Sequence, residues 1–178
     1  SCGRIYAFEP ESHNFELLTY NLKNNDASNV IPLQVAVGDS VGECKLALAN
    51  HNFGDHQVLT SGDDGRSVQV VRMTTIDEIL KDLPDGVVKL IKIDIQGYEY
   101  HAVKGMTQTI RRNPDAVSLV EVGPGRLRNA GSSVTELLRL FGSLGLKGCE
   151  FHDYRIAPIA EPWIYELFPG VREEDFIL

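Results

Sequence analysis

Short apolar runs separated by amphipathic segments dominate the pattern of hydrophobic and polar positions in this chain. The runs are rich in valine and isoleucine, which is typical of buried parallel strands. Apolar stripes with a period near 3.6 residues lie between them and predict helices. This alternation predicts an α/β fold with a mostly parallel, twisted sheet and helices on both faces. The predicted strands of this sheet lie at residues 4–8, 30–37, 87–95 and 116–122.

Two segments in the middle of the chain predict a β-hairpin inserted into this alternation. Its strands are expected at residues 43–49 and 68–73. The polar, glycine-bearing residues 50–67 between them predict a loop, and long loops in compact domains are often lids over a site. The histidines and aspartates of this loop follow no fixed metal-ligand spacing, so no metal site is predicted.

Capping boxes mark two predicted helix starts. In each, a hydroxyl residue is followed three positions later by glutamate, namely Thr75 with Glu78 and Ser133 with Glu136. A third helix is expected after residue 97. Its apolar stripe consists of Val103, Met106 and Ile110.

Composition narrows the classes of protein to which the chain can belong. Its 178 residues predict one domain, residues 1–178. The net charge of -8 argues against a nucleic-acid partner, whose phosphates need clustered lysine and arginine. No apolar run approaches the ~20 residues that span a bilayer, so no membrane partner is predicted. Three cysteines, an odd number without metal-ligand spacing, favour free thiols and a cytoplasmic location.

Acidic residues end two of the predicted strands. Glu9 closes the first strand and is followed by Pro10, and Asp94 closes the third, shortly before Gly97. Open α/β sheets bind ligands at the carboxyl ends of their strands, where a carboxylate can hold both hydroxyls of a ribose. Dinucleotides and S-adenosylmethionine are the two cofactor classes bound in this way. The simpler alternatives are that Asp94 caps the next helix and that Glu9 is a surface residue.

Four motifs in order resemble those of a known family. They are IYAFEP at 5–10, NVIPLQVAVGD at 29–39, TID at 75–77, and IKIDIQGYE at 91–99 followed by VKG at 103–105. Together they are similar to the FkbM family of S-adenosylmethionine-dependent methyltransferases, up to about Glu121. The resemblance implies the Rossmann-like class I methyltransferase sheet, S-adenosylmethionine as cofactor, and methyl transfer, often to an oxygen of a sugar or other small-molecule acceptor.

The resemblance also implies a set of cofactor-binding residues. Glu9, next to Pro10, would bind the ribose hydroxyls. Val35, Ala36 and Val37, at the end of the second strand, would line the adenine pocket.

The same resemblance places the catalytic candidates at a different strand end. Asp94 and Gln96 would face the methionine end of the cofactor and the acceptor. Gln96 stands where such proteins often carry glutamate, and an amide cannot act as a base. Proton removal is therefore expected from Asp94, His101 or Glu121. Glu121 ends the neighbouring strand and is the better candidate, whereas His101 is expected at the surface.

The family's glycine-rich cofactor loop has no counterpart in this sequence. Gly123, Pro124 and Gly125 lack a predicted strand-to-helix context, so they do not replace it. The chain is therefore expected to be an N-terminally truncated family member that binds the cofactor weakly or not at all. The missing strand would lie between the strands that end at Glu9 and Asp94. These strands would pair with each other, pair with a strand of another chain, or leave an exposed edge that favours a homo-oligomer.

Two alternatives to a methyltransferase stay open from the sequence. One is an NAD-binding oxidoreductase, since Glu9 could hold its ribose, although such an enzyme has no obvious use for the Asp94 and Gln96 arrangement. The other is a truncated non-catalytic binding or assembly domain. The acceptor is not identified, and Trp163 and Tyr165 either line its pocket or pack a late strand.

Overall fold

The computed structural model describes residues 3–49, 52–60 and 65–146, and the backbone alone of two later strands. The longest described helix, α1, has 13 residues, and none of the described helices has the length and hydropathy to cross a membrane. The strands are β1 Ile5–Phe8, β2 Val30–Leu33, β3 Ala36–Val37, β4 Gly42–Ala47, β5 Gln57–Val58, β6 Val68–Thr74, β7 Leu90–Ile93, β8 Val117–Val120, β9 Cys149–His152 and β10 Arg155–Pro158. The helices are α1 Ser12–Asn24, α2 Ile76–Ile79, α3 Glu99–Lys104, α4 Thr107–Arg112, α5 Pro124–Asn129 and α6 Val134–Ser143.

The strands of the described residues pair into four separate sheets. β1 runs parallel to β2, with Ile5 opposite Val30, and β7 runs parallel to β8, with Leu90 opposite Val117. The largest sheet has the order β3-β6-β4-β5, in which β3 is parallel to β6 while β4 is antiparallel to both neighbours. β9 and β10 form an antiparallel pair. The α/β class and the inserted hairpin of β4 and β6 are confirmed, and the hairpin makes the pairing mixed rather than mostly parallel.

Two predicted elements are interrupted in the structure. The run at residues 30–37 is divided between β2 and β3, because a tight turn separates them, with the backbone N–H of Val35 donating to the carbonyl oxygen of Leu33 at 3.0 Å. The helix expected after residue 97 is divided into α3 and α4 at Gly105, where a side chain would overlap the carbonyl oxygen of Gly38. The stripe that predicted this helix still enters one core, formed in part by Val103, Met106 and Ile110.

Two short elements lie where the sequence pattern predicts none. Gly123 and Pro124 follow β8 and open α5, so the expectation that this segment lacks a strand-to-helix context is wrong. Proline is well suited to the first turn of a helix, where its missing N–H leaves no helical bond unmade. β5 lies within residues 50–67 and pairs with β4. Both elements are too short to produce a periodic apolar pattern.

Two apolar cores meet at the residue that follows Asp94. The larger core is built around fully buried Val103 and Leu137, and the smaller one, under the hairpin, contains Leu46. Ile95 packs against both cores. The carboxyl end of β7 is therefore held from two sides, which fixes where Asp94 lies.

The edges of β1 and β7 are unpaired in the described chain. Each strand has one neighbour, and the two do not pair with each other. This excludes direct pairing, which was one of the expected outcomes. Among the described residues no strand pairs with either edge, and Ile5 and Leu90, at the start of these strands, are 52% and 66% exposed.

Candidate functional site

A cleft of about 150 Å³ lies where the carboxyl ends of β1, β3 and β7 approach one another. The described loop of residues 52–60 contributes one of its walls. Seven of the predicted site residues line this cleft, namely Glu9, Pro10, Val35, Ala36, Val37, Asp94 and Gln96.

Glu9 lies half-buried in the lining of the cleft. Its Oε1 accepts a hydrogen bond from the backbone N–H of Glu11 at 2.8 Å. Burial raises the pKa of Glu9, although this hydrogen bond opposes the shift. No described residue is bonded to Oε2, so this oxygen is available to hydroxyl groups of a ligand.

Asp94, Gln96 and Glu121 form a hydrogen-bonded cluster, of which Asp94 and Gln96 line the cleft and Glu121 does not. The Nε2 of Gln96 donates to Oδ1 of Asp94 at 3.0 Å and to Oε2 of Glu121 at 3.3 Å. The Nζ of Lys92 donates to Oδ2 of Asp94 at 2.9 Å. The alternative that Asp94 caps a helix is wrong, because α3 begins after Tyr98 and has no side-chain cap.

The two carboxyl groups of this cluster titrate differently. The hydrogen bond from Lys92 lowers the pKa of Asp94, and the contact with Glu121 lowers it further. The same contact raises the pKa of Glu121, and burial adds to that rise. Paired carboxyl groups separate in this way because two like charges in contact cannot both ionise easily. Asp94 is thus the ionised member over a wide pH range, and Glu121 is the member that retains a proton to higher pH.

A strained turn sets the direction of the Gln96 side chain. Gln96 has a φ of 56° and Gly97 a φ of 109°, in the left-handed region that costs free energy for any residue except glycine. A Cβ at Gly97 would lie 2.6 Å from the backbone of Arg126. The buried Glu99 holds this turn, since its Oε1 accepts from the backbone N–H groups of Gly97 at 2.9 Å and Ile95 at 3.3 Å.

Residues 52–60 bridge the two sides of the cleft. Arg126 of α5 donates to Oδ1 of Asp55 at 3.2 Å and to Oε1 of Glu121 at 3.5 Å. On the opposite side, Nδ2 of Asn14 donates to the carbonyl oxygen of Phe53 at 2.7 Å. Residues 52–60 thus lie across part of the cleft. Arg126 and Phe53 were not predicted as site residues because neither lies in a recognisable motif.

His101 lies outside this cluster, and it is not the exposed residue expected from the sequence. Its Nδ1 is 3.1 Å from Oδ2 of Asp39 and its Nε2 is 3.2 Å from the carbonyl oxygen of Ala130. Its ring stacks on Tyr98 with centroids 4.3 Å apart. Burial acts to raise the pKa of Asp39, but hydrogen bonds from Lys104 and His101 hold it below its usual range. Asp39, His101 and Lys104 tie the end of β3 to α3, and none of the three lines the cleft.

Two buried polar atoms of the cleft have no partner within the described ranges. They are Nε2 of His56 and Oε1 of Gln96, one from each side of the cleft. Leaving a buried polar atom unpaired costs about 1–3 kcal/mol, so both atoms are suited to bind a ligand. Within residues 3–49, 52–60 and 65–146, no cluster of three or more metal-ligating side chains is present. Trp163 and Tyr165 lie outside the described residues.

The fold and the cleft define an α/β domain with carboxylates at the carboxyl ends of parallel strands, the arrangement that binds nucleotide-like cofactors. The family model of the methyltransferase FkbM domain matches residues 1–156. The chain belongs to the FkbM methyltransferase family.

Two similar proteins agree with this membership. The hexuronic acid methyltransferase AglP of Haloferax volcanii is 28% identical over 113 residues, which cover 61% of this chain and 44% of that protein. The crystal structure of the methyltransferase FkbM from Methylobacillus flagellatus superposes with a TM-score of 0.54 at 18% identity, covering 86% of this chain and 34% of the other. The chain therefore spans less than half the length of either relative.

Proposed function

We propose that this chain is the part of an S-adenosylmethionine-dependent methyltransferase that binds the cofactor and methylates an oxygen of a small-molecule or sugar acceptor. One observation carries the proposal: Glu9, Asp94 and Gln96, which follow two strand ends, line a single cleft. The family match supports methyl transfer over the NAD-dependent alternative. The name of the Haloferax relative supports a sugar-derived acceptor.

The residues of the cleft fit part of this cofactor. Oε2 of Glu9 is suited to the ribose hydroxyls, and the apolar wall of Val35, Ala36 and Val37 is suited to the base. The cleft volume of about 150 Å³ is below the ~300 Å³ at which pockets for whole drug-sized ligands begin. It can therefore hold one portion of the cofactor, such as its nucleoside.

The Asp94 cluster is suited to the acceptor. When bound, S-adenosylmethionine supplies an electrophilic methyl group. Asp94 orients an acceptor hydroxyl, which is a proximity effect, and the Asp94–Glu121 pair accepts the proton that this hydroxyl loses. Gln96 holds the two carboxyl groups together and is not itself a base. Lys92 and Arg126 are already paired with carboxylates, so the cluster favours a neutral hydroxyl over an anionic group.

Cofactor binding is tested by calorimetry with S-adenosylhomocysteine. Glu9→Gln leaves one acceptor oxygen where two hydroxyls need to be held, so we expect about tenfold weaker binding. Glu16→Gln, the same change on the exposed face of α1, is the control and should bind as the unmodified chain does. Equal affinities of the two variants would contradict the ribose role of Glu9. An unmodified chain without measurable binding at millimolar ligand would contradict the cofactor assignment.

Transfer is tested with cofactor that carries a labelled methyl group and a panel of neutral sugars, uronic acids and phenols. Asp94→Asn should slow the transfer at least ~10²-fold, because an amide cannot accept the proton. Asp115→Asn, at an exposed position, is the matched control. Label that reaches no acceptor, or an unchanged rate in Asp94→Asn, would count against the assignment.

A second candidate, an assembly module, has one observation in its favour. β1 and β7 each keep an unpaired edge in the described chain, with Ile5 and Leu90 exposed. Light scattering over a concentration series tests this candidate. Concentration-dependent dimers that are lost in Leu90→Lys would support homo-oligomerisation through the edges, and a monomer at all concentrations would exclude it.

A further inference from the structure

We infer that His56 recognises the base of the nucleoside cofactor, with its Nε2–H donating to a ring nitrogen of the purine. This inference rests on the proposed function and adds a specificity residue to it. His56 lies in the loop of residues 52–60, outside the motifs that carry the family resemblance, and lines the cleft.

The protonation of the ring follows from its surroundings. The backbone N–H of Ala49 donates to Nδ1 of His56 at 2.9 Å. In a neutral imidazole only one nitrogen carries a proton, so Nδ1 as the acceptor leaves the proton on Nε2. His56 therefore presents a fixed hydrogen-bond donor to the cleft.

That donor has no partner in the described part of the chain. Nε2 is buried, although His56 as a residue is only partly so, and it lines the same cleft as Glu9. A buried donor without an acceptor is unfavourable by itself, which indicates that a ligand supplies the acceptor. The partner must be a neutral or negative acceptor atom, since the nitrogen can only donate.

The position of the ring favours the base over other parts of the ligand. The ring centroids of His56 and Phe53 are 6.4 Å apart. The backbone carbonyl oxygen of Phe53 accepts a hydrogen bond from Asn14, which is in the first turn of α1, close in sequence to Glu9. The aliphatic side chains of Val37, Leu46 and Val58 line the same cleft as His56. An apolar lining that also contains a buried donor suits a purine, which has apolar faces and ring nitrogens that accept hydrogen bonds.

The neighbouring polar groups are assigned to other portions of the ligand. Glu9 and Asp94 both line the cleft, and their carboxylates are acceptors suited to hydroxyl groups rather than to the ring nitrogens of a base. Oε1 of Gln96, the second unpaired buried atom, is an acceptor and cannot bind a ring nitrogen. Nε2 of His56 is a buried donor without a partner among the described residues, and it meets the chemistry of the base edge.

The experiment compares S-adenosylhomocysteine with its 1-deaza, 3-deaza and 7-deaza analogues, each of which replaces one ring nitrogen by C–H. Dissociation constants come from NMR titrations of the whole chain up to millimolar ligand, so weak binding is measurable. His56→Phe removes the donor and keeps a ring, and His56→Gln keeps a donor at a similar reach. His13→Phe is the matched control, because His13 contacts the same Phe53 but does not line the cleft.

We expect one analogue to bind the unmodified chain about three- to tenfold more weakly than the parent ligand, the loss typical of one hydrogen bond. His56→Phe should show the same loss with the parent ligand and no further loss with that analogue. His56→Gln should keep part of the discrimination, and His13→Phe should keep all of it. The histidine ¹⁵N spectrum of the free chain should show the Nε2–H tautomer of His56.

Three results would overturn the inference. His56→Phe could bind all four ligands as the unmodified chain does, or it could lose affinity equally for all four, which would make His56 a wall of the cleft. An Nδ1–H tautomer in the free chain would also exclude the proposed donor. In each case binding of the parent ligand leaves the proposed function intact, whereas an unmodified chain that shows no titration at all contradicts both.

Discussion

Replacing the buried Glu99 by leucine should lower the free energy of unfolding by about 2–4 kcal/mol. The side chain is 1% exposed, and its Oε1 accepts from the backbone N–H groups of Gly97 and Ile95. A buried donor left without a partner costs about 1–3 kcal/mol. The short, buried bond from Gly97 should contribute most of the loss, and the longer bond from Ile95 less.

The effect should reach the site as well as stability. Without the two hydrogen bonds to Glu99, the left-handed turn at Gln96 is no longer held, and Gln96 no longer bridges the two carboxyl groups. We therefore expect the pKa values of Asp94 and Glu121 to approach each other in Glu99→Leu. Carboxyl ¹³C NMR titration measures both values.

Two further variants separate the cause from general damage. Glu99→Gln keeps an oxygen at the same place and should lose under ~1 kcal/mol. Glu136→Leu makes the same change at an exposed capping box, where we expect at most ~1 kcal/mol. Urea unfolding compares all three proteins. If Glu99→Leu is no less stable than Glu136→Leu, the turn does not depend on the buried carboxyl group and the reasoning is refuted.

Other changes test the packing and the electrostatics around the site. Gly97→Ala should destabilise by more than ~1 kcal/mol, measured by urea unfolding, because its methyl group meets the backbone of α5 and its φ is positive; no loss would show that α5 can move away. Asp77→Ala should lower the free energy of unfolding by about 2–4 kcal/mol, measured by thermal unfolding, since the carboxylate of Asp77 accepts hydrogen bonds from the backbone N–H and the Oγ1 hydroxyl of Thr109. If Asp77→Leu loses stability but Asp77→Ala does not, packing rather than hydrogen bonding decides the stability at this position. Lys92→Met should raise the pKa of Asp94, because the ammonium that favours its ionised form is removed. The contribution of ionised Asp94 to stability, which is present above its unfolded pKa, should then be lost at a higher pH on acidification. An unchanged ¹³C titration of Asp94 would exclude Lys92 as the cause.

Much of the candidate site was predictable because its signals are local. Buried strands need continuous apolar runs, and the residue at which a run stops marks the strand end, which is how Glu9 and Asp94 were found. Both predicted helix starts are confirmed, since they depend on residues three positions apart: the hydroxyl oxygens of Thr75 and Ser133 accept from the backbone N–H groups of Glu78 and Glu136 at 3.1 and 3.2 Å.

Contacts between distant segments decided the rest. The breaks between β2 and β3 and between α3 and α4 depend on a turn and on a close approach to Gly38, neither of which alters the apolar pattern. His56 lines the cleft and Arg126 binds Asp55 and Glu121, and both come from segments without periodicity that only tertiary packing brings together.

By itself, the sequence determined which chemistry stands at the strand ends, because residue type and strand register are local properties. Only the tertiary structure decided that the pKa of Asp94 is lowered and that of Glu121 raised, since these shifts depend on a contact across two strands and on the ammonium of Lys92. The same holds for the buried donor of His56, whose tautomer is set by the backbone N–H of Ala49.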